Sequence, residues 1–318
     1  MLLWWKKART LRSSMLSLST CWRAGSGLSG TELVHLYRRL GFRFMEVEYR
    51  LSLAQIREIE TCVHAGLIRV SSVHNYVPRI PGEGEDTDGG DRFLLSSIDE
   101  GKRTEAVEKT CRTLEWAVRL SAAAVVLHLG RVEARATQGP LLDLFRAGMA
   151  DSEKAECTRR ALVRGRVEAS EPFLNQVLKS VREIEARASA LNLRIGLENR
   201  YYYHQIPSPE ELAVLLARTR PDVTGYWHDV GHGQVMENLG LRKHADHLKV
   251  AGDRLLGVHF HDLVGVDDHI APGTGEFDFE VLRPWLRPHV LRVMELHPRV
   301  TDTEVIRGRE YLESLGVT

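Results

Sequence analysis

AAAVVLHL, residues Ala122–Leu129, carries one polar side chain, His128, near its end. A strand with one face in water alternates apolar and polar residues. A continuous apolar run of this length suits a parallel strand covered on both faces. Similar runs recur on either side of it, at Met15–Thr20, Phe44–Glu48, Ile68–His74, Arg194–Glu198, Val223–Asp229, Leu255–Asp262 and Leu291–Leu296. Helical patterns fill the gaps. Over Glu171–Leu191, Phe173, Leu174, Val177, Leu178, Val181, Ile184, Ala188 and Leu191 fall on one stripe at helical spacing. Ser29-x-x-Glu32, Ser208-x-x-Glu211 and Thr301-x-x-Glu304 have the form of capping boxes. Pro209 stands at the first position of its helix, and Gly41 follows the first helix as a C-cap.

Eight strands alternating with helices predict a (β/α)8 TIM barrel, an α/β fold. The 318 residues fit one such domain, placed at 15–318, with a long insertion after the fourth strand. That insertion, 131–170, is charged and Ala-rich and reads as short helices over the barrel mouth, either a lid or a surface decoration. Residues 1–14 read as a disordered leader or an extension upstream of the natural start. Gly82–Arg92 (GEGEDTDGGDR) reads as an acidic, mobile loop.

Lys plus Arg number 43 and Asp plus Glu number 43. Without a basic excess, the phosphate-binding class of nucleic-acid proteins is disfavoured. No stretch reaches the roughly 18 apolar residues of a membrane span. Cys21, Cys62, Cys111 and Cys157 are dispersed without a CxxC pair, which suits a reduced, cytoplasmic protein.

In a TIM barrel the C-terminal ends of the strands face the active site. Those ends carry His74 (SSVHNY), His128 (VVLHLG), Glu198 (IGLENR), Asp229 with His232 (YWHDVGHG) and Glu295 (VMELHP). Strand seven (GVHFHDLVGVDDH) adds His259 or His261, then Asp267 and His269. Six consecutive strands thus deliver N or O donors to one rim. Buried carboxylates that repel one another are relieved by a divalent cation. A His-plus-carboxylate set without Cys suits Mn²⁺, Mg²⁺, Co²⁺ or Zn²⁺. Glu198, Asp229, His259 and Glu295, from strands five to eight, are the expected metal ligands. Alternation does not separate His259 from His261. His74, His128, Arg200, His232, Trp22 and Glu48 are expected to touch substrate. For Glu48 a structural salt bridge is an alternative of at least equal weight. Arg200 would hold a substrate phosphate or carboxylate, or pair with Glu48 or Asp229. Trp22 would be an apolar pocket wall. Tyr201-Tyr202-Tyr203-His204 reads as a polar aromatic wall for a small polyol, with stacking on a base or packing against the next loop as the alternatives. His228 points away by alternation and is structural.

Through LENR (197–200), HDVGH (228–232), VHFHD (258–262) and DDHIAPGTGEFDF (267–279), the chain resembles the xylose-isomerase-like TIM-barrel superfamily over roughly Met15–Leu315. That group holds sugar isomerases, ketose 3-epimerases, inosose dehydratases and the endonuclease IV type of apurinic-site nuclease. In the epimerase branch the resemblance implies one metal on Glu198, Asp229, His259 and Glu295, with Glu198 and Glu295 as proton-transfer bases. In the nuclease branch it implies three zinc ions. His74, His128 and Glu198 would hold the first; Glu198, Asp229, His259 and Glu295 the second; His232, Asp267 and His269 the third. Neutral net charge, the acidic loop and the tyrosines favour a sugar or polyol substrate over DNA. Homo-oligomers are common in the resembled group, so a homo-oligomer is an expectation here.

Overall fold

The computed structural model describes residues 15–79 and 91–318. Residues 1–14, and the acidic stretch as far as Gly90, lie outside the described residues. Eight parallel strands close into a barrel: β1 (Ser17–Ser19), β2 (Phe44–Val47), β3 (Arg69–His74), β4 (Ala124–Leu127), β5 (Arg194–Glu198), β6 (Thr224–Asp229), β7 (Leu255–Phe260) and β10 (Leu291–Met294). Their order around the barrel is β1-β10-β7-β6-β5-β4-β3-β2. Each predicted run contains one of these strands, usually shortened at an end. The run Leu255–Asp262 divides instead. It stops at Phe260, and an antiparallel hairpin of β8 (Asp262–Val264) and β9 (Asp267–Ile270) follows at the mouth.

The helices are α1 (Gly30–Arg39), α2 (Leu53–His64), α3 (Glu100–Arg119), α4 (Gly139–Arg146), α5 (Glu153–Ala190), α6 (Pro209–Ala217), α7 (Val230–Asn238), α8 (Ala245–Ala251) and α9 (Asp302–Ser314). All three expected capping boxes form, and Ser52 with Gln55 makes a fourth at α2. No described helix is long and apolar enough to cross a membrane.

The insertion after β4 differs from the expected cluster of short helices. Helix α4 is short, but the remainder joins the predicted helix at Glu171–Leu191 into one helix of 38 residues that runs through Pro172. Buried Arg166 explains why the N-terminal half stays folded onto the domain. Its guanidinium donates to the carbonyls of Tyr203 (2.7 Å) and Gln205 (3.1 Å) and to the Glu211 carboxylate (2.6 Å). This half of α5 is therefore tied to the loop that follows β5.

Inside the barrel, Ala124, Val126, Trp227, Leu256 and Val293 form a small core of their own, separate from the layer between strands and helices. The strand period of two sets its logic. Trp227 lies two residues below Asp229 on β6 and is fully buried. Two glycines flank its ring: Gly196, two below Glu198 on β5, and Gly257, two below His259 and the register partner of Trp227 on β7. A Cβ on Gly257 would sit 2.3 Å from the indole, and one on Gly196 2.9 Å. One large side chain between two glycines thus makes a solid floor beneath three of the strand-end donors.

Candidate metal centre

Four side chains rise from that floor. Glu198 ends β5, Asp229 ends β6, His259 lies on β7 and Glu295 follows β10; all are buried. The Nδ1 atom of His259 is 2.8 Å from Glu198 Oε1, 2.9 Å from Glu295 Oε2 and 3.8 Å from Asp229 Oδ2. One ligand atom from each of the four falls within 4.8 Å of the others.

Three further groups of donors adjoin this set. His74 Nε2 (3.2 Å) and His128 Nε2 (2.9 Å) both approach Glu198 Oε2. His261 Nε2 lies 3.0 Å from both oxygens of Asp229, and its ring stacks on His269 at 3.9 Å. His232, Asp268 and His269 form the last group, with His269 Nδ1 3.1 Å from Asp268 and His232 Nε2 3.8 Å from it. Asp229 also serves the backbone, since its carboxylate caps α7 by accepting the His232 N–H at 2.7 Å.

The electrostatics suit a cation. Burial works against charge throughout. At Glu198 the neighbouring His259, His128 and His74 outweigh burial, and the carboxyl stays well below the usual range. At Glu295, His259 and His269 do the same. Asp229 is lowered by His232 and His261 against its burial. His259, in turn, is held well above the usual imidazole range because Glu295, Glu46 and Glu198 overcome its desolvation. Carboxylates this crowded call for compensating positive charge, toward which His259 and His269 are both shifted. A divalent cation meets the same need through the same atoms, and three carboxylates with one imidazole are hard, oxygen-rich donors that fit such an ion.

Several sequence-predicted residues sit elsewhere than expected. Asp267 points out to an exposed ion pair with Arg146 (2.9 Å), and Asp268 takes its place beside His232 and His269. Simple alternation would put Asp267 and His269 on one side. The left-handed backbone at His269 (φ 59°) breaks that alternation and turns Asp268 inward. Trp22 is not a pocket wall. It is fully buried against Tyr37, and its indole N–H donates to the Val300 carbonyl at 2.7 Å. Glu48 is fully buried, and Arg50 occupies it through Nε (2.8 Å) and the backbone N–H (3.0 Å). Its ion-pair alternative is the one formed. Arg200 contacts His128 and pairs with Asp91 (3.4 Å), 3.7 Å from Glu198. Of the tyrosines, Tyr201 meets the edge of the His232 ring and Tyr202 is exposed, while Tyr203 is buried among Arg166 and Arg242. His228 turns away and contacts Tyr226 and His244.

Glu46, Asp91 and Asn199 escaped the sequence reading. Glu46 was legible as a charge inside the apolar strand FMEV. Asn199 was legible inside LENR; its side-chain oxygen accepts the Asp229 N–H at 2.7 Å. Asp91, at the end of the acidic stretch, pairs with His128 and Arg200 and had no periodic signal to mark it.

Residues 34–292 match the family model described as xylose isomerase-like TIM barrel. The uncharacterized protein y4fM of Sinorhizobium fredii is 25% identical over 182 residues. That match covers 57% of this chain and 48%, about half, of the relative. D-psicose 3-epimerase from Clostridium cellulolyticum H10, solved with D-tagatose, superposes with a TM-score of 0.65 at 16% identity, covering 94% of this chain and 98% of that one. The 3-keto-D-glucoside 4-epimerase of E. coli gives 0.64 at 16% identity, with 95% and 100% covered. At such identities these two likenesses are of fold. The family match over most of the barrel, with the donor set at its mouth, leads to one statement: the chain belongs to the xylose isomerase-like TIM barrel family.

Proposed function

We propose that the protein is a metal-dependent isomerase or epimerase of a small sugar or polyol, in which Glu198 and Glu295 move the proton. The observation that carries this reading is the buried convergence of Glu198, Asp229, His259 and Glu295 on one point. These four would hold the ion, of the Mn²⁺, Mg²⁺, Co²⁺ or Zn²⁺ kind. A bound divalent cation supplies positive charge that stabilises an enediolate, which lowers the barrier to removing a proton beside a carbonyl. Glu198 and Glu295 reach the centre from different strands, β5 and β10. One of them, ionised, would take the proton from the carbon next to the carbonyl, and the other, entering the step as the carboxylic acid, would give its proton to the opposite face, so that the two exchange protonation states. His74, His128, His232 and Arg200 ring this point and would hold substrate hydroxyls. The D-psicose and 3-keto-D-glucoside epimerases that share the fold act on substrates of this class, by their names.

The test is proton exchange. The protein, loaded with Mn²⁺, is incubated with a panel of ketoses in deuterated water. Deuterium at a carbon next to the carbonyl is expected for at least one sugar. No uptake across the panel, by a protein that has bound its metal, sinks the reading.

A second reading, a trinuclear phosphodiesterase acting at abasic DNA sites, draws on the further groups His74–His128–Glu198 and His232–Asp268–His269. It requires three ions per chain and cleavage of an abasic duplex. One ion per chain with no cleavage removes it.

A further inference from the structure

Glu46 lies on β2, far in sequence from the four proposed ligands, and nothing in the reaction proposed above uses it. It is fully buried, and both of its oxygens lie 3.2 Å from His259 Nε2. The hydroxyl of Ser72, on the adjacent β3, donates to Glu46 Oε2 at 2.7 Å and fixes the carboxylate. The opposite edge of the same imidazole, at Nδ1, faces Glu198, Glu295 and Asp229 and no other described carboxylate. Trp227 packs edge-on against the ring at 5.2 Å and limits its rotation.

The two ring nitrogens therefore have different roles. We propose that Glu46 is a positioning residue that keeps the His259 Nε2 proton in place, so that Nδ1 is the nitrogen presented to the metal. A carboxylate behind a metal-bound histidine fixes the tautomer and ring orientation and raises the ligand's basicity. Glu46 is excluded from binding the ion itself by its place, since the ring stands between its oxygens and the point where the other three carboxylates meet. Ser72 extends the chain by one link: hydroxyl to carboxylate to imidazole. The inference rests on the metal reading above and adds to it which nitrogen binds and what holds it there.

The test uses Zn²⁺ as the probe on the full chain. Zinc affinity is measured by competition with a chelator for the wild type, E46L and E46Q. Leucine removes the acceptor, whereas glutamine keeps an oxygen that can accept from Nε2. Zinc affinity is expected to fall about 10- to 100-fold in E46L, with E46Q keeping most of the wild-type value. Long-range ¹H–¹⁵N spectra of the zinc-loaded protein read which nitrogen of each ring carries metal and which carries a proton. A ring with metal on Nδ1 and a proton on Nε2 is expected in the wild type and E46Q, and is expected to be lost in E46L. A merely structural role for Glu46 would lower the melting temperature without moving either reading. Zinc binding unchanged in E46L, or reduced equally in E46L and E46Q, overturns the assignment while the metal reading stands. A wild type that binds no zinc fails the metal reading itself. Should E46L not fold, S72A carries the test: a smaller loss of affinity in the same direction supports the chain of contacts, and unchanged affinity with unchanged ring spectra overturns it.

Discussion

Replacing Gly257 by alanine adds one methyl group directly beneath the proposed metal centre. The new Cβ would lie 2.3 Å from Cζ3 of Trp227 and 2.5 Å from both Cε3 and Cη2. Carbon atoms at rest stay about 3.5–4.0 Å apart, so three ring atoms overlap the methyl by roughly 1 Å or more. The indole has nowhere to go. Ala124, Val126, Leu256 and Val293 enclose it, and Gly196 on the other flank already allows its close approach. Overpacking of a rigid core costs about 1–3 kcal/mol, and this contact belongs at the upper end. Against that, the change from glycine restricts the unfolded chain and returns about 0.4–1 kcal/mol where the backbone suits alanine. The expected net loss is about 2 kcal/mol, a large part of a stability of about 5–15 kcal/mol. Urea unfolding of the metal-free protein measures it. Gly196→Ala, whose Cβ would meet the ring at 2.9 Å, should cost less. Because Trp227 packs against His259, zinc affinity should fall in G257A as well. A G257A protein within about 0.5 kcal/mol of the wild type, the range of an ordinary surface change, would refute the idea that this glycine exists to admit the indole.

Glu198→Gln and Glu295→Gln should each lower turnover about 10²- to 10⁴-fold, the usual contribution of a general acid or base, read as deuterium exchange into the responsive ketose. Saturating divalent metal should raise the melting temperature and chelation reverse it, with about 2.7 kcal/mol of stabilisation at a hundredfold excess over Kd; a melting curve indifferent to metal argues against a bound ion. Arg166→Met leaves the Glu211 carboxylate buried and unpaired, so a loss of about 3–5 kcal/mol is expected in urea unfolding. His269 is raised to about 9 because Asp268, Glu295 and Asp229 outweigh its desolvation. Its charge therefore stabilises the metal-free fold in full below about 6.5, the unfolded value, and this contribution is lost as pH rises through about 9. The stability gap between wild type and Asp268→Asn, measured in urea, should accordingly narrow above that pH.

The barrel was legible because short apolar runs such as AAAVVLHL recur eight times between amphipathic helical patterns, the alternation expected of buried parallel strands. The four central donors were legible for the same reason, since strand ends and a period of two place Glu198, Asp229, His259 and Glu295 together. What failed was local geometry that alternation does not encode. A left-handed residue at position 269 exchanged Asp267 for Asp268. Burial decided Trp22 and Glu48. It depends on partners that a local pattern does not reveal, distant Val300 for one and the arginine that folds back for the other. Helix α5 runs through Pro172, which a local reading takes as a helix boundary, and its first half is held by Arg166 to a loop some forty residues away in the chain. Glu46 was visible as a buried charge, but its neighbour Glu48 stands nearer the strand end and drew the assignment instead.

Asp229 belongs at once to the proposed centre and to α7, whose first turn hangs on its oxygen. Those two duties share one carboxylate, so truncation to alanine cannot pull them apart. An alanine here loosens the start of the helix along with a cation's grip, and a drop in activity would have two causes, whereas asparagine, a comparable N-cap, keeps the helix start. The reverse coupling is of more use to the experimenter. An ion settling on Asp229 should tighten the amides at the beginning of α7, and hydrogen exchange at His232 becomes a reporter of occupancy that requires no substrate.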